Sequence, residues 1–126
     1  MVVKIESITS LEWTVINNEK YLVFNFHGHF SEDVAYDTIM KWRREFGPII
    51  KSGEKTNVIW NCLDMTGFDA SSRREWQTTL SRYHHYIDTI WIVTTSPLFR
   101  LTAQSMSWVT KYTLKAARSI DEVGRV

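Results

Sequence analysis

The chain has 126 residues, a formal net charge of +1 and a hydrophobic fraction of 44% that includes six tryptophans. That length fits one domain able to bury a core without a disulfide or a metal. The near-neutral total, with no long run of one sign, argues against strong nonspecific binding to nucleic acid or to an anionic membrane.

Cys62 is the single cysteine, which excludes a disulfide framework and a cysteine-based zinc site. Its place in an apolar run reads as a buried thiol in a reducing compartment. The N-terminal stretch MVVKIESITSLEW lacks the continuous apolar centre of a signal peptide. No segment approaches the roughly 20 apolar residues of a membrane span. The expectation is a soluble, cytoplasmic, single-domain protein over residues 1–126, with no nucleic acid or membrane partner and no cofactor.

In chain order, LEWTVI (11–16), the turn-like NNEK and YLVFNFHGHF (21–30) read as a hairpin. Leu22, Phe24 and Phe26 alternate with Tyr21, Val23 and Asn25, the period of a strand with a core face. Ser31 is placed to cap a helix, with Glu32 and Asp33 in its first turn. Ala35, Ile39, Trp42, Phe46 and Ile49 recur at spacings of three and four, the stripe of an amphipathic helix. Gly47-Pro48 or Gly53 ends it. TNVIWNCL (56–63) is a short apolar run, fitting a strand covered on both faces. A helix is expected over about 71–87 with Trp76, Leu80, Tyr83 and Ile87 inward. TIWIVTT (89–95) is a second buried strand. SPLFRLTAQSMSWVTKY (96–112) is a third helix with Pro97 at its start. TLKAA (113–117) is a last short strand, and SIDEV opens a final helical turn. The order β-β-α-β-α-β-α-β-α implies an α/β domain: a mixed sheet of four or five strands with parallel crossovers and flanking helices.

Four places carry chemistry-bearing residues. Ser72-x-x-Glu75 has the spacing of a capping box, and Asp69 is an alternative cap one turn earlier. The same helix start offers free N–H groups to an anion or phosphate, with Arg73 and Arg74 adding positive charge where the helix dipole disfavours it. His27 and His29 have the i, i+2 spacing that places both on one strand face. A metal there needs a third ligand from Asp33, Asp64 or Asp69, and strand-end polar histidines are the simpler reading. His84 and His85 read as surface residues. The chain has no G-x-S-x-G elbow and no glycine-rich phosphate loop, so a hydrolase needs the fold to bring a histidine to Ser71 or Ser72. In the third helix, Leu101, Trp108 and Tyr112 form one stripe and Ala103, Met106 and Thr110 another. One must pack on the sheet, and in so small a domain both are expected to be covered.

The run NVIWNCLDMTGFDASS resembles the signature of STAS domains, the group that includes bacterial anti-sigma-factor antagonists. There a strand ends in a pattern like L-x-L-x-x-[VL]-x-x-[ILM]-D-S-[ST]-G and a helix begins. Asn61, Leu63, Asp64, Thr66 and Asp69 line up without a gap. TSP (95–97) before an apolar helix and the ending LKAARSIDEV fit the same layout, so the resemblance spans roughly residues 11–123.

The resemblance implies a STAS-like fold and a non-enzymatic signalling module in a bacterial cytoplasm. Its partner would be a kinase-like anti-sigma factor or a phosphatase. The family's phosphorylated serine follows the aspartate. Here Asp69 matches, but Ala70 fills the serine position, Ser71 matches the next hydroxylated position and Ser72 replaces a glycine. The usual switch cannot operate at Ala70. The candidate phosphorylation or partner-binding residues are therefore Asp69, Ser71, Ser72, Arg73 and Arg74. The alternative is a small-ligand or lipid-binding module of the related STAS/CRAL-TRIO-like layout, which calls for a long apolar cavity.

Overall fold

The computed structural model describes residues 8–109 and 112–124. Strands β1 (Thr9–Ile16) and β2 (Glu19–Phe30) form the expected hairpin. Its two-residue turn uses Asn17 and Asn18, both at positive φ (52° and 65°). Asparagine tolerates that conformation, which matches the twist of the flanking strands.

Helix α1 (Glu32–Ser52) starts where Val34 N–H donates to Ser31 Oγ at 3.3 Å. Of the two expected ends, the later one holds. The helix runs through Pro48, and Gly53 closes it at φ 73° with its N–H on the Ile49 carbonyl. Strand β3 (Thr56–Phe68) follows, then α2 (Ala70–Tyr83) and a 3-10 turn at His84–Tyr86. Strand β4 (Ile87–Val93), α3 (Pro97–Val109), β5 (Thr113–Ala117) and a 3-10 turn at Ile120–Glu122 complete the order.

Two boundaries differ most from the expectation. The second helix stops four residues early, because the 3-10 turn reverses the chain and delivers Ile87 into β4, opposite Thr56. The third strand runs five residues further than its apolar core, so Asp64–Phe68 are strand rather than loop. They pair with His27–Phe30 across two register shifts.

The sheet order is β1-β2-β3-β4-β5, with the first pair antiparallel and the rest parallel. Every parallel crossover advances in one direction, and right-handed crossovers then place all the helices on one face. Leu22, Phe24, Phe26, Val58, Trp60, Ile90 and Ile92 meet α1, α2 and α3 there in one core. The alternate residues Tyr21, Val23, Ile59, Trp91 and Val93 form a second, smaller cluster, closed by Ala117 and Val123. β3 and β4 are thus buried on both faces, which explains their unbroken apolar runs.

Trp76 is the hub of the helix-side core. Its ring lies 4.8–5.9 Å from those of Phe24, Phe26, Phe30, Trp42 and Trp60. It therefore joins α2 to β2, α1 and β3. Trp76→Ala is expected to cost about 3–5 kcal/mol, read as a lower midpoint in urea unfolding, whereas Glu54→Ala, on the exposed α1–β3 connection, changes it little.

Candidate functional site

β3 passes into α2 without a loop. Asp69 N–H donates to the Phe30 carbonyl at 3.2 Å, which ties the end of β3 to the end of β2, and Ala70 is already helical. Asp69 occupies the N-cap position, but its side chain makes no capping bond. Its Oδ1 is instead 2.7 Å from His29 Nε2. Gly67 eases this approach, since a Cβ there would sit 3.2 Å from His29 Nδ1. Two residues earlier on β2, His27 Nδ1 lies 3.5 Å from Asp64 Oδ2.

The fold thus brings two of the three candidate acids to the histidines, one acid to each. A bulge between them, with Gly28 at φ 75°, interrupts the simple alternation expected for His27 and His29. Among the described residues, no group of three His, Cys, Asp or Glu side chains converges to hold a metal ion.

The capping-box expectation is not met. Ser72 lies inside the first turn, fully buried, and its Oγ has no hydrogen-bond partner. The reason is helical spacing: Ser72 is four residues before Trp76, so the inward aim of the indole turns Ser72 inward too. A histidine-activated nucleophile at Ser72 is removed by the same fact. Ser71 is half-buried, while Asp69, Ala70 and Arg74 are exposed.

The two arginines part company. Arg74 faces solvent. Arg73 turns toward α3, where its Nη2 donates to Ser105 Oγ at 3.0 Å while its Nε is buried without a partner. Neither arginine forms an ion pair among the described residues. Of the two cations at the unfavourable helix end, Arg73 thus has a structural use, as a tie between helices.

Beneath this tie lies an apolar cavity of about 60 Å³, lined by Phe30, Trp60, Cys62, Met65, Phe99 and Met106, with Arg73 in its wall. Trp60 Nε1 is also buried without a partner. The space suits a compact apolar group and is far below the several hundred Å³ of an ordinary ligand pocket. Burial pushes the Cys62 thiol up to about 12 and raises the Tyr112 phenol as well. Cys62 is therefore a neutral packing group rather than a nucleophile.

The covered helix surface expected for α3 is corrected. Ala103 and Met106 pack on the sheet, but Leu98, Leu101 and Trp108 are exposed. Tyr112 is half-buried, with its ring 6.2 Å from that of Trp60, and Thr110 lies outside the described residues. The sequence set Ala103 and Met106 on one side of the helix and Leu101 and Trp108 on another, and could not tell which side had no neighbour.

Two results are expected. Ser72→Ala removes an orphaned buried hydroxyl and improves helix propensity, so stability stays equal or rises by up to about 1 kcal/mol. A capping role would instead make the same change lose about 1 kcal/mol, and the sign of the shift in the urea midpoint separates the two. The Cys62 thiol, with its folded value raised above the usual 9, stabilises the fold fully below about pH 9. That contribution is lost as pH climbs toward 12. Stopped-flow reaction with a disulfide reagent at pH 8 should be slow in the folded chain and fast in denaturant.

Comparison with known proteins falls on the fold. No protein-family model and no curated protein sequence matches the chain. An uncharacterized DUF3478-family protein with a SpoIIAA-like fold from Shewanella loihica PV-4 superposes with a TM-score of 0.79 at 9% identity, over 97% of this chain and 95% of the other. The anti-sigma factor antagonist SpoIIAA in its unphosphorylated form superposes with a TM-score of 0.51 at 16% identity, over 90% and 92%. The chain has the SpoIIAA-like, STAS-like α/β fold.

Proposed function

We propose that this chain, built on a SpoIIAA-like fold, is a non-enzymatic regulatory module of the cytoplasm that docks a protein partner through the start of α2. The observation that carries the reading is the exposed β3–α2 turn. Asp69, Ala70 and Arg74 are exposed with Ser71 beside them, and the backbone under them is held to β2 by the Asp69–Phe30 bond and the His29–Asp69 pair. A surface held in one conformation loses little entropy on docking. The partner class that fits the resemblance is a kinase-like anti-sigma factor or a phosphatase.

Within that face, Ser71 is the residue able to take a phosphate. Phosphate there adds a charge of about −1.5 to −2. It favours the helix end but opposes an interface fitted to a neutral hydroxyl. Ser72 is a poor acceptor, because its hydroxyl is sealed under α2 and a kinase would have to unfold the turn to reach it. Arg73 contributes through α3 rather than directly. The small-ligand alternative gains less support, since a 60 Å³ cavity is not the long apolar channel it needs.

Affinity capture on the immobilised chain from native lysate is expected to recover a kinase-like or phosphatase partner. Ser71→Glu and Arg74→Glu should each lower recovery on the order of tenfold while leaving the melting curve in place. Recovery unchanged in both variants removes this docking face. Ser72→Glu should instead unfold the domain, because it buries an unpaired carboxylate.

A further inference from the structure

Charge is distributed unevenly along the chain. Residues 89–120 contain no Asp or Glu and four basic residues, Arg100, Lys111, Lys115 and Arg118, so every acid lies elsewhere. This acid-free stretch covers most of β4, all of α3 and β5, one edge of the sheet. A neutral total conceals such a segregation, yet a surface responds to the charges within a Debye length, about 8–10 Å.

The same edge carries an exposed apolar strip on α3. Leu98, Leu101 and Trp108 are 62%, 57% and 75% exposed. Spacings of three and seven align them along one side of α3, opposite the buried Ala103 and Met106. The helix is 13 residues long, roughly 20 Å. The strip is flanked by cations. Arg100 and Arg118 line a cleft with Thr94–Pro97, and Arg73 reaches α3 from the other side to Ser105. None of these guanidinium groups forms an ion pair among the described residues. Of the acids next in sequence, Glu122 accepts the Arg118 backbone N–H at 2.9 Å rather than its side chain.

A second copy seated on this strip would set Arg100 and Arg118 against the same cations of the other copy. A surface of opposite charge fits better. Leucines and a tryptophan on one side of a short helix, flanked by arginines and free of acids, match an element lying flat in a lipid headgroup region. No described helix is long and apolar enough to cross a bilayer, so the contact is in-plane.

We propose that α3 docks on an anionic membrane surface. Leu98, Leu101 and Trp108 enter the boundary between headgroups and acyl chains, and Arg100 and Arg118 face the headgroup phosphates. This surface lies on a different helix from the α2 docking face, so either can fail without the other.

The test is sedimentation of the full chain with phosphatidylcholine vesicles, alone or with about one third phosphatidylglycerol. Binding is expected with the anionic vesicles, weak with the neutral ones, and reduced by high salt. Leu101→Glu and Trp108→Glu should each weaken it on the order of tenfold, and Arg100→Glu should weaken it while flattening the salt dependence. Circular dichroism should show all three folded, since the positions are exposed, and Glu54→Gln, on the exposed α1–β3 connection, should bind as the parent does. No sedimentation of the parent chain, equal binding to both vesicle types, or binding unchanged in the α3 variants would each overturn the proposal. So would a lipid-free dimer, seen by analytical ultracentrifugation, that Trp108→Glu dissociates, because the strip would then belong to a second copy.

Discussion

The position of one indole organises this molecule. Trp76 is enclosed by Phe24, Phe26 and Phe30 of β2, Trp42 of α1 and Trp60 of β3. Four of these contacts are edge-to-face and that with Trp42 is tilted, packing that is directional as well as apolar. A helix anchored by so large a side chain has little freedom to rotate. Rotation about the α2 axis would lift the indole out of the core and leave a void the remaining rings could not fill. The rotational setting of α2 is therefore decided by the core, and every polar residue in its first turn inherits it. Ser72 goes under, Arg74 goes out and Arg73 goes sideways to α3.

The second constraint comes from the strands. β2 and β3 both outrun the apolar core, and their last residues pair across a bulge at Gly28. That extension carries His27 and His29 to Asp64 and Asp69. Because Asp69 spends its carboxylate on His29, the helix start lacks the side-chain cap its sequence advertises. The half-exposed pair contributes little energy by itself, as partly solvated pairs do. Its effect is positional: it fixes the strand end from which α2 departs. The partner face proposed above is thus a consequence of sheet geometry and core packing, with little reliance on its own surface contacts.

Charge and apolar exposure follow the topology too. Sequential crossovers in one direction stack all three helices on one face, so α3, the last of them, has a neighbour on one side only. An outward stripe of Leu98, Leu101 and Trp108 is what remains of a helix that packs on the sheet, is tied to α2 through Arg73 and Ser105, and then meets solvent. The segregation of acids away from this edge is visible in the sequence once the edge is known. Without the topology it is only a stretch of chain.

Much of the fold was legible from periodicity alone. The alternation of Leu22, Phe24 and Phe26, the stripe from Ala35 to Ile49, the Ser31 cap and the Asn17-Asn18 turn are local signals, each readable from residues a few positions apart. The Ala70 departure from the family pattern was equally legible, because the identity of a residue needs no coordinates. The burial of Ser72, the diversion of Asp69 to His29 and of Arg73 to Ser105, and the exposure of Trp108 were not legible. Each is a contact, or the lack of one, between residues about thirty or more positions apart. A capping box and a buried serine share one local sequence, and an apolar stripe looks the same whether or not another element covers it. The sequence by itself determined which segments become strands and helices and which residues could bear chemistry. Only the tertiary structure decided which way α2 turns and which face of α3 is left uncovered, because those depend on the packing of remote side chains around Trp76.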